Sequence, residues 1–341
     1  MKTADKLNEN RLNAIIEACG KSKIGLIGDL CLDIYWKADM KRSELSRETP
    51  HFPLPVVEER MSPGGGGNVA VNIAALRPAQ ISVVGVTGND WRGKALLTEL
   101  KRHGIGDSHI VVSNNLITNA YCKPIRMGIS EVEYEDPRLD FCNYKPLNKE
   151  DETALLAKLD AAVSDLDVLC VSDQLTFGCI TPAVRQRIML YAADGLKVIV
   201  DSRNRIGEYR GVIMKPNEIE AWSVVNEGQL PQGAGLDDYA ETARRLVQIN
   251  GAPVCMTVGD KGCLYADNQS ITHIKAISAE PPVDIVGAGD TFLAAFGTAL
   301  GGGIEPVFAS AFGNIAASVT VKKLGTTGTA SPEEILNKFN S

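Results

Sequence analysis

The chain has 341 residues, of which 44% are hydrophobic and 23% charged, ordinary proportions for a globular protein with a sizeable core. Its formal net charge of −7 lacks the basic footprint of a nucleic-acid binder, and no segment approaches the roughly 18 apolar residues of a membrane span. The opening "MKTADKLNENRLNAIIEACGKSK" has no apolar leader region, the eight cysteines form no C-x-x-C pair, and four dispersed histidines argue against zinc, so a reducing, cytoplasmic setting is expected.

In chain order, Leu12, Ile15, Ile16 and Cys19 share one helical face that Gly20 closes. The run "KIGLIGDL" predicts a buried strand, "GNVAVNIAAL" a helix, "ISVVGVTG" a strand, and "DWRGKALLTELKRHG" a helix ended by Gly104. The alternation resumes with a helix over "ETALLAKLDAAV", a strand over "LDVLCVSD", and a helix over "TPAVRQRIMLYAADG" with Pro182 in its first turn. Strands at "LKVIVD" and "GVIMKP" precede a helix over "LDDYAETARRLVQING", strands at "PVCMTVG" and "GCLYAD", and helices near 289–300 and 305–323. Continuously apolar strands alternating with helices predict an α/β protein whose mostly parallel sheet is covered on both faces. Two polar blocks, about 34–62 and 110–146, break the pattern with short alternating runs such as "NAYCKPIRMG" and "EVEYED". They are expected to form strands with one solvated face, inserted as a lid into a single domain over 1–341.

Several stretches carry chemistry. "GNDWRGKA" at 88–95 nearly spells a phosphate-binding P-loop, but Ala95 stands where a magnesium-ligating hydroxyl is needed, so Gly88 and Gly93 are assigned to a turn. In "SPGGGGNVAVN" the glycines let a ligand approach the backbone, and Asn68, expected at the helix cap, offers a donor and an acceptor to hydroxyls. Asp33 in "GDLCLD" is expected just past the C-terminal end of the first strand, the edge where open α/β sheets bind ligands. In "MKPNEIEA", Asn217 and Glu220 have the spacing of a helix capping box, and "TVGDKG" is a glycine-containing turn between strands. The most telling stretch is "DIVGAGD", where Gly287, Ala288 and Gly289 bare the backbone ahead of Asp290 and an apolar helix. Small residues there suit an anion held by helix N-terminal amides, with a carboxylate base alongside.

In this order, the glycine-rich segment ending in Asn68, the Asn217-x-x-Glu220 pair, "TVGDKG" and "DIVGAGD" resemble the ribokinase-like (PfkB) family of carbohydrate kinases over nearly the whole chain. "GDLCLDIYW", "SRETPHFPLPVVEE", "RLDF" and "VDSRNRIGEYRGVIMKPNEIEA" are most similar to segments of the bacterial heptose phosphate kinases. The resemblance implies a ribokinase-like three-layer α/β/α sandwich with a small β-strand lid, and transfer of the γ-phosphoryl group of ATP to a hydroxyl of a sugar or sugar phosphate. It implies that Gly287, Ala288 and Gly289 form an anion hole and that Asp290 takes the proton of the attacking hydroxyl. An ordinary carboxylate pKa, about 3.9, is expected to keep Asp290 ionised.

The resemblance further gives Asn217 and Glu220 to water-held Mg²⁺ and the ATP phosphates. Thr257, Gly259 and Gly262 line the nucleotide, and Asn314 lies near the adenine. Asp284, with carbonyls near 319–328, matches the region where relatives hold a monovalent cation such as K⁺. Asp33, Gly65 and Asn68 face the sugar, while Lys123, Arg126, Arg138, Arg203 and Arg205 are candidates for a phosphate already on it. Exposed lid edges suggest a homodimer through the lid. Ribokinase- and fructose-phosphate-type substrates stay open as alternatives. A dinucleotide-dependent oxidoreductase lacks its G-x-G-x-x-G here, and a non-catalytic sugar-binding regulator would have little use for Asp290, Asn217 and Glu220 together.

Overall fold

The computed structural model describes every residue except 5, 6, 131 and 326. Its main sheet has ten strands in the order Lys2–Thr3, Ile271–Ile274, Cys263–Ala266, Val254–Thr257, Ile213–Met214, Lys197–Ser202, Val168–Asp173, Lys23–Gly28, Gln80–Gly88 and Ile110–Ser113. Only Cys263–Ala266 runs against its neighbours. Both faces of the central strands are apolar. Ile24, Leu26, Val168 and Cys170 pack into a core under the helices Glu9–Cys19, Gly66–Ala75, Ala288–Gly301 and Pro306–Thr320. Ile27, Leu169 and Val171 pack into a second core under Lys149–Val163, Pro182–Ala193, Glu218–Val225 and Leu236–Asn250. Two cores on opposite faces of one sheet make a three-layer sandwich, and burial of both faces explains why the strands are unbroken apolar runs.

A second, five-stranded sheet stands on the first. Leu30–Asp39 lies at its centre, antiparallel to Val56–Gly65 and parallel to Asn119–Met127, which also pairs with Glu133–Glu135 and Leu139–Phe141. A single residue, Asp29, separates the main-sheet strand Lys23–Gly28 from Leu30–Asp39. Its buried carboxylate accepts N–H bonds from Gln174, Leu175 and Cys179 at 2.7–2.8 Å, fastening the loop after Val168–Asp173 to the junction. Burial pushes the Asp29 pKa up to about 6 against those three donors.

Three expectations change. Ile110–Ser113, assigned to the second irregular block, is an edge strand of the main sheet, parallel to Gln80–Gly88. The lid strands reach further into the fold than 34–62, beginning at Leu30 and ending at Gly65. Asp33 is no loop residue beyond a strand: it lies inside Leu30–Asp39, opposite Ser62 and Tyr121. The strand Ile271–Ile274 and the helix Pro332–Asn340, with its Ser331–Glu334 capping box, went unread because each is short and flanked by polar sequence. Among the described residues, no helix is long and apolar enough to cross a membrane.

Candidate active site

The helix Ala288–Gly301 begins without a side-chain cap. Gly287 precedes it at φ 82°, a conformation that L side chains rarely adopt, and a Cβ there would sit 3.0 Å from the Asn68 amide nitrogen. Ala288 N–H donates to the Ile285 carbonyl at 3.2 Å. Among the described residues the N–H groups of Gly287, Gly289 and Asp290 find no acceptor. These orphan amides and the helix dipole favour an anion. Lys215, 3% exposed and 2.9 Å from Asp201, brings its ammonium to the same place, 3.9 Å from where a Cβ on Gly289 would lie. Burial opposes the lysine's charge, but the Asp201 and Glu220 carboxylates hold its pKa above the ordinary value.

Asp290 stands in the first turn of this helix, half-buried, with Oδ2 accepting from Asn68 Nδ2 at 2.7 Å. Its pKa is not the ordinary one expected. Burial pushes it up to about 7, helped by the Asp201 and Asp33 charges and opposed by the Asn68 hydrogen bond and Lys215. Asn68 is not the helix cap either. Gly65, at φ 55°, caps Gly66–Ala75, and Asn68 is the third residue within it. That position turns its amide to Asp290 rather than to its own helix end. Gly64 lets the Asp33 carboxylate lie flat against the chain, since a Cβ there would be 2.7 Å from Asp33 Oδ1.

Asp33 in turn is surrounded by cations. Lys123 Nζ lies 3.5 Å from Asp33 Oδ2 and 3.2 Å from the Tyr35 hydroxyl, while Arg60 stacks on the Tyr35 ring and Arg138 on the Tyr121 ring. Burial raises the Asp33 pKa, and Lys123, Arg138 and Arg60 all oppose that rise. Asp140, which Arg138 grips through two nitrogens at 2.6 and 2.8 Å, lies at the same corner.

The other arginines singled out above are committed elsewhere. Arg126 pairs with Asp136 at 2.6 Å. Arg205 is clamped to Asp173 and to the Leu175 and Thr176 carbonyls. Arg203 is exposed, and its charge bears on Glu220. At that end Asn217 and Glu220 form a complete capping box: Asn217 Oδ1 accepts from Glu220 N at 2.8 Å, and Glu220 Oε2 accepts from Asn217 N at 2.9 Å. The second carboxylate oxygen of Glu220 is not used in the cap. Burial, followed by the Asp201 charge, pushes the Glu220 pKa up to about 7. Thr257 N–H donates to the Pro216 carbonyl at 3.0 Å, joining "TVGDKG" to this segment. Gly259 and Gly262 bound the turn after it. Asn314 spends its amide hydrogens on the Ile274 and Lys275 carbonyls at 3.1 and 3.3 Å, tying its helix to the sheet edge.

Asp284 links two loops, accepting from Val286 N at 3.0 Å and Gly325 N at 3.1 Å, while its own N–H donates to Val321 O at 2.8 Å. The Gly325 carbonyl receives Arg60 Nη2 at 2.8 Å. Of the carbonyls expected near 319–328, that of Thr326 lies outside the described residues. The near-P-loop is structural: Asp90 caps its helix by accepting from Gly93 N at 2.8 Å, which fills the N-terminus a phosphate would need. Residue-by-residue reading missed Lys215, Asp201, Arg60 and Asn72. A lysine within the apolar "GVIMKP" was a usable signal for the first.

The family model for pfkB family carbohydrate kinases matches residues 27–334. A bifunctional protein HldE from Shewanella piezotolerans is 31% identical over 340 residues, covering 95% of this chain; the chain spans 65% of that relative's length. Among solved structures, phosphofructokinase-2 from Escherichia coli, in complex with substrates and products, matches with a TM-score of 0.72 and 20% identity, covering 94% of this chain and 98% of its own. A ribokinase from Thermotoga maritima matches with a TM-score of 0.67 and 21% identity over 94% of this chain and 100% of its own. At these identities the two structures speak for the fold.

Proposed function

This chain belongs to the pfkB family of carbohydrate kinases, phosphotransferases with an alcohol group as acceptor, and from that premise we propose that it moves the γ-phosphoryl group of ATP to a hydroxyl of a sugar that already carries a phosphate. A heptose phosphate is the leading acceptor, since the HldE relative shares 31% identity. One observation supports the phosphorylated acceptor: the charges of Lys123, Arg138 and Arg60 all bear on Asp33, at the sugar end of the site. A neutral sugar gives no reason to collect that charge, whereas a phosphate is held well by charge-assisted bonds.

In this reading Asp33 and Asn68 hold sugar hydroxyls, and Lys123 with Arg138 receives the resident phosphate. The acceptor O–H gives its proton to Asp290, through the oxygen that Asn68 leaves unoccupied. The freed oxygen forms a bond to the γ-phosphorus as the bond to ADP breaks. Gly289 and Asp290 amides, with Lys215, neutralise charge on the transferring group. A base with a pKa of about 7 is well matched to a reaction near neutrality. Glu220 and Asp201 suit a divalent cation, because burial has left Glu220 short of positive charge. Such an ion, when bound with ATP, supplies charge neutralisation between the phosphates. A monovalent cation beside Asp284 fits less well. Both Asp284 oxygens accept backbone N–H groups, and the Arg60 guanidinium already holds the Gly325 carbonyl. No step is assigned to it.

The test is an ATP-consumption screen across free sugars and their phosphates, heptose phosphates included. Turnover confined to phosphorylated acceptors is expected. Turnover on free sugars alone overturns the proposed acceptor and leaves the kinase assignment standing.

A further inference from the structure

Asn72 is 2% exposed and sits among Val69, Ala70, Val71 and Ile73, all buried, in a helix that has no apparent need of an amide. Leaving such a group unsatisfied is costly, yet every polar atom of Asn72 is used. Its Nδ2 lies 3.0 Å from Asn68 O, 3.3 Å from Asn68 Oδ1 and 3.3 Å from Gly328 O. Its Oδ1 accepts from Thr291 Oγ1 at 2.9 Å. The single Thr291 hydroxyl proton is shared between that oxygen and the Gly287 carbonyl, 3.1 Å away. A continuous polar chain therefore runs from the turn at Gly287 through Thr291, Asn72 and Asn68 to Asp290.

The direction of that chain matters. An ionised carboxylate only accepts hydrogen bonds, whereas an Asn side chain has one donating and one accepting end. At 2.7 Å from Asp290 Oδ2, Asn68 stabilises the ionised base with its NH₂ group and would repel it with its oxygen. We propose that Asn72 is a positioning residue for the reaction: its NH₂ group binds the oxygen end of the Asn68 amide and so holds the NH₂ end of Asn68 on Asp290. Thr291 orients Asn72 by donating to its oxygen. The inference rests on the reading of Asp290 as the base and deepens it. Other charges facing Asp290, namely Asp201 and Asp33 raising its pKa and Lys215 lowering it, come from two strands and the segment after a third, away from Asn72.

Two near-isosteric variants test this. Asn72→Asp removes the NH₂ donor, and Thr291→Val removes the group that orients it without adding charge. The Asp290 titration is read from its carboxyl ¹³C resonance, assigned by loss of that signal in Asp290→Asn. It is read again from the acidic limb of kcat against pH, with the acceptor found in the screen. Asn72→Asp is expected to move both midpoints upward by about one pH unit, so turnover falls about tenfold below the midpoint and recovers at high pH. Thr291→Val should move them the same way by less. The carboxylate of Asn72→Asp would also raise the Asp290 midpoint by its charge alone, so the uncharged Thr291→Val decides, whether or not Asn72→Asp folds. A loss equal at every pH, with both midpoints in place, overturns the positioning role. Failure of the base reading looks different: the unchanged enzyme then shows no limb near pH 7, and Asp290→Asn keeps its turnover.

Discussion

Asp290, the proposed base, has a kinetic and a stability consequence that can be separated. Replacing it by Asn keeps shape but removes the proton acceptor, so kcat should fall about 10²–10⁴-fold in an assay with saturating ATP and acceptor; turnover within threefold of the parent rejects the base. Stability should move the other way. The folded pKa of about 7 is raised above the ordinary carboxylate value of 3.8, so the folded state binds the proton more tightly than the unfolded one. Stability contributed by this group is present at low pH and is lost as pH rises from about 4 to about 7. Asp290→Asn escapes that loss. Its Tm should exceed the parent's by a few degrees at pH 8, with the gap closing toward pH 4. A Tm difference that is absent, or independent of pH, removes the buried-charge account and leaves the kinetic question open.

At the scale of elements, the junction at Asp29 sets the site. A strand that leaves one sheet and enters the next within a residue brings Asp33 and its neighbours over the helix that bears Asp290. Lys123 reaches Asp33 from the parallel lid strand beside it. Lys123→Met keeps the stem and deletes the charge. With a charged hydrogen bond worth about 1.5–3 kcal/mol, KM for the sugar phosphate should rise at least about tenfold, with KM for ATP unchanged. Arg138→Ala should do less, because Asp140 already holds that guanidinium. Steady-state kinetics with each substrate varied separates these outcomes. An unchanged sugar-phosphate KM in Lys123→Met removes the lid cation from the phosphate site.

Across the whole molecule, a net charge of −7 coexists with three cations whose charges converge on Asp33, so the total is a poor guide to the sign of the substrate. The lid also leaves apolar side chains outside. Val57, Tyr134 and Leu139 are 48%, 59% and 51% exposed, and among the described residues Val56–Gly65 is an edge strand of its sheet. Such a surface fits a second copy of the chain. Sedimentation of the parent should give a dimer, and Val57→Glu with Leu139→Glu should give a monomer. A monomeric parent at micromolar concentration removes the lid as an assembly surface.

Local regularities were legible in the sequence because they depend on neighbours along the chain. The apolar run that opens the strand "VLCVSD", the Pro182 helix start and the bared turn at Gly287 each carry their cause within a few residues. The capping box of Asn217 and Glu220 was equally visible, and the fold realises it. What sequence could not decide were relations across hundreds of positions. Asn68 meets Asp290 over 222 residues and Arg60 meets Gly325 over 265. Arg138 and Arg205 looked alike as candidate phosphate ligands, and each has a carboxylate partner; only the fold brings Arg138 to bear on Asp33 and ties Arg205 to Asp173 and the Leu175 carbonyl. The pKa of Asp290 belongs to the same class. Composition supplies its reference value, but desolvation and the charges of Asp201, Lys215 and Asp33 exist only once segments distant in the chain have closed around it.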